Sequence, residues 1–293
     1  MREKIGIGQD IRGRIFRGLG AMLVLADGNP VRHVRRPIVN YTLIALCVVI
    51  FLVNPPYTEY GFVPAKLFLV ADGAGEPFVL PRLVTYIFLH GDIFHLLGNM
   101  LVLWVFGDNV EDSMGHLRYV AFFIVCGIAG ALMEGAFTNE PEIIVIGASG
   151  SIAGVMGAYL LLHPRARVLV LIAFRFPMII PASLFVGLSI ATDVVMALLG
   201  DGEAAIAWWA HIGGFAAGIA LLPLIRYADV PLFQPAAAYP ENSFAPFNRF
   251  IVDLGHRRDA GTAPASFSER LAFGVKTFAF FSIIVLVVEL IFA

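Results

Sequence analysis

Four polar side chains stand inside otherwise apolar stretches of this 293-residue chain: His95, Asn99, Ser149 and His211. A serine hydroxyl and an imidazole can carry acyl transfer. The serine attacks a carbonyl, the histidine takes its proton, and further hydrogen-bond donors hold the oxyanion. His95 and Asn99 are four residues apart, so on a helix they share one face and can act together as donors. Ser149 stands in Gly147-Ala148-Ser149-Gly150 at the start of an apolar run. A helix N-terminus there leaves the Ser149 backbone N–H free as one more donor.

The elements that must carry these residues are apolar throughout. The chain is 59% hydrophobic and 14% charged, with a mean hydropathy of +0.82. Soluble domains average about 25% charged residues. The composition excludes a disordered chain, a collagen-like fibre and a charged nucleic-acid binder. The surplus apolar surface calls for a lipid bilayer. Net charge is −2, which leaves no polybasic footprint for nucleic acid. Cys47 and Cys126 lie in apolar runs without metal-ligand spacing and read as small apolar packers. Only Lys4, Lys66 and Lys276 are lysines among 20 basic residues, a weak pointer to a GC-rich, bacterial genome. The first 30 residues mix charge and glycine and do not read as a cleavable signal peptide.

Runs long enough to cross a bilayer are Ile38–Val53, Leu117–Phe137, Phe176–Leu199, Ala204–Ile225 and Leu271–Phe292. Ile93–Phe106 and Ser149–Leu162 are shorter. Loop arginines decide the count. With seven spans, Arg32, Arg35 and Arg36, then His116 and Arg118, then Arg165, Arg167 and Arg175, then Arg226 to Arg270 all fall on the inner side. With five spans that bias breaks. Seven spans put the N-terminus in the cytoplasm and the C-terminus outside. The Tyr57–Asp92 loop is too broken by proline to cross and is expected on the outer face. Val168–Phe174 is too short to cross and is expected along the inner face.

On this topology His95, Asn99, Ser149 and His211 lie at one outer depth. From Ser149 to His163 is 15 residues, about 22 Å of helix against a hydrocarbon core of about 30 Å. Anchored inside by Arg165 and Arg167, that helix starts below the outer surface, at the floor of a water-filled cavity. Ser149, Ala153 and Gly157 form one stripe, and His211, Gly214 and Gly218 another. Small residues so spaced let two helices approach closely in lipid, which would bring Ser149 to His211. Either stripe alone is equally compatible with ordinary packing.

These residues resemble the rhomboid intramembrane serine proteases over residues 38–226. Gly147-Ala148-Ser149-Gly150 is similar to that family's GxSG nucleophile motif, and Ala210-His211 with Gly214 and Gly218 to its AHxxGxxxG around the general base. His95 and Asn99 are similar to its HxxxN oxyanion pair. Arg82 and His90 resemble positions of its first outer loop, read here as structural. Gly107, Glu111 and Gly115 resemble the turn closing its second helix.

The resemblance implies an all-α polytopic membrane protein. Its parts are a cytoplasmic segment (1–37), a six-helix core (38–226), a cytoplasmic linker (227–270) and an appended seventh helix (271–293). It implies a serine endopeptidase that cuts transmembrane segments of single-pass membrane proteins. Its site opens to the outer face, in a bacterial inner membrane, with neither metal nor organic cofactor. It also implies a dyad, with no acid orienting the base, and a fifth helix that gates laterally. Two positions depart from the pattern. Ala153 stands where many members have a tyrosine stacked on the base, and Pro81 where a tryptophan is frequent. Asp193, Glu134 and Glu289 read as acids snorkelling from helix ends. The rival readings are a transporter, for which no internal repeat speaks, and an inactive relative that binds transmembrane helices.

Overall fold

The computed structural model describes residues 22–27, 29–71, 79–172, 176–199, 206–235 and 252–253. They fall into two units: a helical unit of residues 29–166 and 182–235, and a sheet unit of 22–27, 167–172, 176–181 and 252–253.

The helical unit begins with α1 (Ile38–Val53). A broken stretch follows, made of α2 (Tyr57–Tyr60), α3 (Pro64–Ala71), α4 (Val79–Thr85) and a 3-10 turn at Tyr86–Phe88. Then come α5 (Ile93–Met114), α6 (His116–Phe137), α7 (Ser149–Leu162), α8 (Ala182–Leu199) and α9 (Trp208–Ile225). Helices α5, α6, α8 and α9 are long and apolar enough to cross a membrane, whereas α1 and α7 are shorter apolar helices. α7 is buried along most of its length and packs against α5, α6 and α9. At about 21 Å it need not cross alone, because protein and not lipid surrounds its ends.

α5 runs past the expected Phe106 to Met114 because its polar end is buried and partnered. Glu111 accepts the backbone N–H groups of Val39 (3.1 Å) and Asn40 (2.7 Å) at the start of α1, and its other contact is His116. Asp112 accepts those of Arg32 (2.9 Å), His33 (2.5 Å) and Val34 (2.7 Å). Glu111 thus satisfies donors that the start of α1 leaves open, and Asp112 those of the segment ahead of it. Gly115 (φ +82°) makes the turn into α6, and Tyr227 lies where a side chain would stand.

The sheet unit corrects the expectation of an all-α chain. β1 (Met22–Asp27), β2 (Arg167–Ile172), β3 (Phe176–Pro181) and β4 (Val252–Asp253) form one sheet in that order. β2 runs antiparallel to β1 and β3 (Val168↔Ile180, Leu171↔Pro177), and β3 runs parallel to β4. So Val168–Ile172 is a strand, and the fifth apolar run is not one span: Phe176–Pro181 is strand and the helix starts at Ala182. Short apolar runs leave strand and helix undecided by periodicity alone. Pairing between the two runs, with Val168 to Leu171 all buried, decides it. The expected seventh helix, Glu289 and most of the 227–270 linker lie outside the described residues.

Candidate active site

Asp92 sets the first half of the site. Its carboxylate accepts the N–H groups of Phe94 (2.8 Å) and His95 (2.9 Å), capping α5. His95 therefore stands in the first helical turn with Asn99 one turn further on. Gly147, at φ +122°, turns the chain into α7 and donates its N–H to the Tyr86 carbonyl (2.9 Å). A Cβ at Gly147 would lie 2.7 Å from His95 Nε2 and 3.8 Å from Asn99 Nδ2. Both donors thus flank the backbone just ahead of Ser149. Asn99 is buried, and its amide nitrogen has no hydrogen-bond partner. An unpaired buried donor costs about 1–3 kcal/mol, so a ligand oxygen there would be well received.

The second half depends on contact between α7 and α9. A side chain on Gly214 would be driven into the Gly150 carbonyl oxygen, and one on Gly218 into that of Gly154. The backbones touch at two successive turns. The contact stripe on α7 is therefore Gly150 and Gly154, one residue along from the expected Ser149 and Ala153, while a Cβ on Gly157 would lie 2.7 Å from the Phe215 carbonyl oxygen. Ser149 stands beside that stripe, and its Oγ lies 2.8 Å from His211 Nε2. Ser151, two residues on, faces Gly127 of α6 and not the histidine. Among the two serines of this turn, the geometry selects Ser149.

Glu134 and Asp193 do not behave as snorkelling acids. Glu134 is buried and accepts the Ala210 N–H (3.0 Å) in the first turn of α9, fixing the helix that carries the base. Asp193 Oδ1 lies 3.2 Å from His211 Nδ1, with both side chains 17% exposed. His211 thus has an acid beside Nδ1 where the resemblance implied none. Trp208 meets the His211 ring edge-on, centroids 5.9 Å apart. An acid and an indole occupy the surroundings that Ala153 leaves without a stacked ring. The signal for Asp193 was available: it is the one charge in α8 and stands six residues from the helix end.

Arg82 and His90 tie the broken stretch between α1 and α5 together. Arg82 Nε donates to the Glu59 carbonyl (2.9 Å), and the His90 carbonyl accepts from Tyr57 Oη (2.8 Å). The His90 ring meets His95 edge-on at 5.1 Å. Burial, with the neighbouring His95 adding to it, pushes His90 down to about 4.

With this geometry in place, comparison with known proteins decides the family. A Rhomboid domain profile matches residues 77–228, more than half of the chain. The chain belongs to the rhomboid family. It is 30% identical over 166 residues to RHOMBOID-like protein 6, mitochondrial, of Arabidopsis thaliana, covering 55% of this chain and 46% of that one. It is 35% identical over 133 residues to Rhomboid protease GluP of Bacillus subtilis, covering 43% and 24%. Rhomboid protein 1, mitochondrial, of Saccharomyces cerevisiae is 30% identical over 138 residues, covering 45% and 38%. The chain spans less than half the length of these relatives. Rhomboid membership and four apolar helices of crossing length make it an integral membrane protein, with a lipid bilayer as its surroundings. The outward face of those helices agrees: Trp104, Leu117, Leu198 and Leu224 are exposed.

Proposed function

We propose that this rhomboid is an intramembrane serine endopeptidase in which Ser149 is the nucleophile and His211 the general base. One observation carries the reading: the 2.8 Å approach of Ser149 Oγ to His211 Nε2, beside the unpaired amide of Asn99. His211 accepts the serine proton as Oγ attacks the peptide carbonyl. The oxyanion lies between Asn99, His95 and the Ser149 backbone N–H. His211 then protonates the leaving amine, and water hydrolyses the acyl-enzyme by the reverse proton path.

The substrate class is the transmembrane segment of a single-pass membrane protein. A peptide bond in an intact helix is shielded, so helix-destabilising residues near the cut favour cleavage. In this reading residues 38–226 form a six-helix core, 227–270 a linker and 271–293 a seventh span. The N-terminus is cytoplasmic and the site opens outward in a bacterial inner membrane. α8 is the side on which substrate enters. A non-cleaving relative that only captures helices has no use for a serine hydrogen-bonded to a histidine, and this bond favours the enzyme.

The test is cleavage of a model transmembrane substrate in proteoliposomes. Wild-type protein is expected to cut it, and Ser149→Ala and His211→Ala are each expected to lose cleavage while still folding. Full activity in Ser149→Ala overturns the assignment.

A further inference from the structure

Each ring nitrogen of His211 has a side-chain oxygen within 3.2 Å. Nε2 lies 2.8 Å from Ser149 Oγ on α7, and Nδ1 lies 3.2 Å from Asp193 Oδ1 on α8. Asp193 is the single charge among the 18 residues of α8 and stands six residues from its end, about 9 Å along the axis. A carboxylate in an apolar span is costly unless a partner compensates it. Its side chain is 17% exposed and turned onto the imidazole. Among the described residues, the other titratable groups close enough to act on His211 are Glu134 on α6 and His95 on α5. Glu134 accepts the Ala210 N–H, and His95 stands against Gly147. Neither takes the Nδ1 position.

We propose that Asp193 is a positioning residue that turns the Ser149–His211 pair into a Ser–His–Asp relay, an inference that rests on the functional reading above. In this arrangement the carboxylate accepts a hydrogen bond from Nδ1–H, which leaves the lone pair on Nε2, the nitrogen facing Ser149. The serine proton moves to Nε2 as the Oγ–carbon bond forms. The imidazolium then carries protons on both nitrogens, and Asp193 stays ionised and stabilises it. The Nε2 proton leaves with the amine as the carbon–nitrogen bond breaks, and the Nδ1 proton does not move. The indole of Trp208 stands edge-on to the ring, so the acid, and not a stacked aromatic, sets the ring's tautomer.

The test compares wild type, Asp193→Asn, Asp193→Glu and Ser149→Ala on one transmembrane substrate in proteoliposomes. Asp193→Asn is expected to lower kcat about 10²- to 10⁴-fold with KM unmoved. Its kcat/KM profile against pH is expected to differ from that of wild type, because the group beside the imidazole has changed. Asp193→Glu, which keeps the charge, is expected to recover part of kcat. Proton NMR of 15N-histidine-labelled protein supplies a readout independent of turnover. A downfield Nδ1–H signal from His211 is expected in wild type and in inactive Ser149→Ala, and not in Asp193→Asn. Wild-type kcat in Asp193→Asn, an unmoved pH profile, or absence of that signal from folded wild type overturns the relay. Full activity in Ser149→Ala instead overturns the underlying reading, whatever Asp193 does.

Discussion

Gly214 and Gly150 meet backbone to backbone: a methyl on Gly214 would collide with the Gly150 carbonyl oxygen. That contact, repeated one turn on by Gly218 and Gly154, sets the separation of α7 and α9. Small residues let helices in lipid approach this closely. It is the reason a serine on one helix reaches a histidine on the other.

Gly214→Ala should therefore push α9 off α7, lengthen the serine–histidine bond and abolish cleavage. Gly187→Ala is the matched control, since nothing lies within 4 Å of a Cβ there. In mid-helix it should leave cleavage unchanged and raise stability by up to about 1 kcal/mol. Cleavage assays and thermal unfolding of both variants in detergent check this. Equal activity in the two would contradict the packing account.

Asn99→Ala removes a buried donor that has no partner in the resting protein. Little stabilisation is lost with it, so the unfolding temperature should hold. kcat should fall about 10²- to 10³-fold if the amide meets the oxyanion. A variant with wild-type kcat would remove Asn99 from the reaction.

The candidate site was more legible in the sequence than the architecture. Ser149, His211, His95 and Asn99 were readable because polar groups inside apolar runs are expensive and therefore few. The bounds of α1 and α7 matched their apolar runs. α5 ran longer, because Glu111 and Asp112 look like loop residues until their partners, in the first turn of α1 and on the chain ahead of it, are known. The sheet was hidden for a related reason: Phe176–Pro181 is as apolar as a span, and only pairing with Arg167–Ile172 distinguishes it. The stripe on α7 was displaced by one residue because Ser149, Ala153, Gly157 and Gly150, Gly154 are neighbouring small-residue rows on one helix. Asp193 was misread because an acid in an apolar helix has a cheap explanation at an interface. Its distance from the helix end was the clue against it.

Glu111→Ala should destabilise without touching the chemistry. It leaves the N–H groups of Val39 and Asn40 unpaired in a buried place, at about 1–3 kcal/mol each. Thermal unfolding in detergent should shift down, while kcat per folded molecule stays at the wild-type value. A fall in kcat with unchanged unfolding would contradict this division of labour.

Acid should destabilise the folded chain through two rings withdrawn from water, His90 buried and His163 half-buried. Burial, with His95 adding, holds His90 down at about 4. Burial, with Arg32 adding, holds His163 down at about 4 as well. In the unfolded chain both take up protons near 6.5. The unfolded state then binds more protons than the folded one, so the stabilisation is full above about 6.5 and is lost as pH falls toward 4. The loss is at most about 3 kcal/mol per ring. Unfolding temperatures measured from pH 7.5 to 4 should fall across that window, and less steeply in His90→Gln. A flat profile would contradict the neutral state of these rings.

The central claim is that Ser149 is a nucleophile activated by His211. The most direct measurement is labelling by a fluorophosphonate, with the adduct located by mass spectrometry. The account predicts one adduct, on Ser149, strongly reduced in His211→Ala and absent from Ser149→Ala. Labelling that persists at the wild-type level in Ser149→Ala, or an adduct found on Ser151 instead, would contradict it.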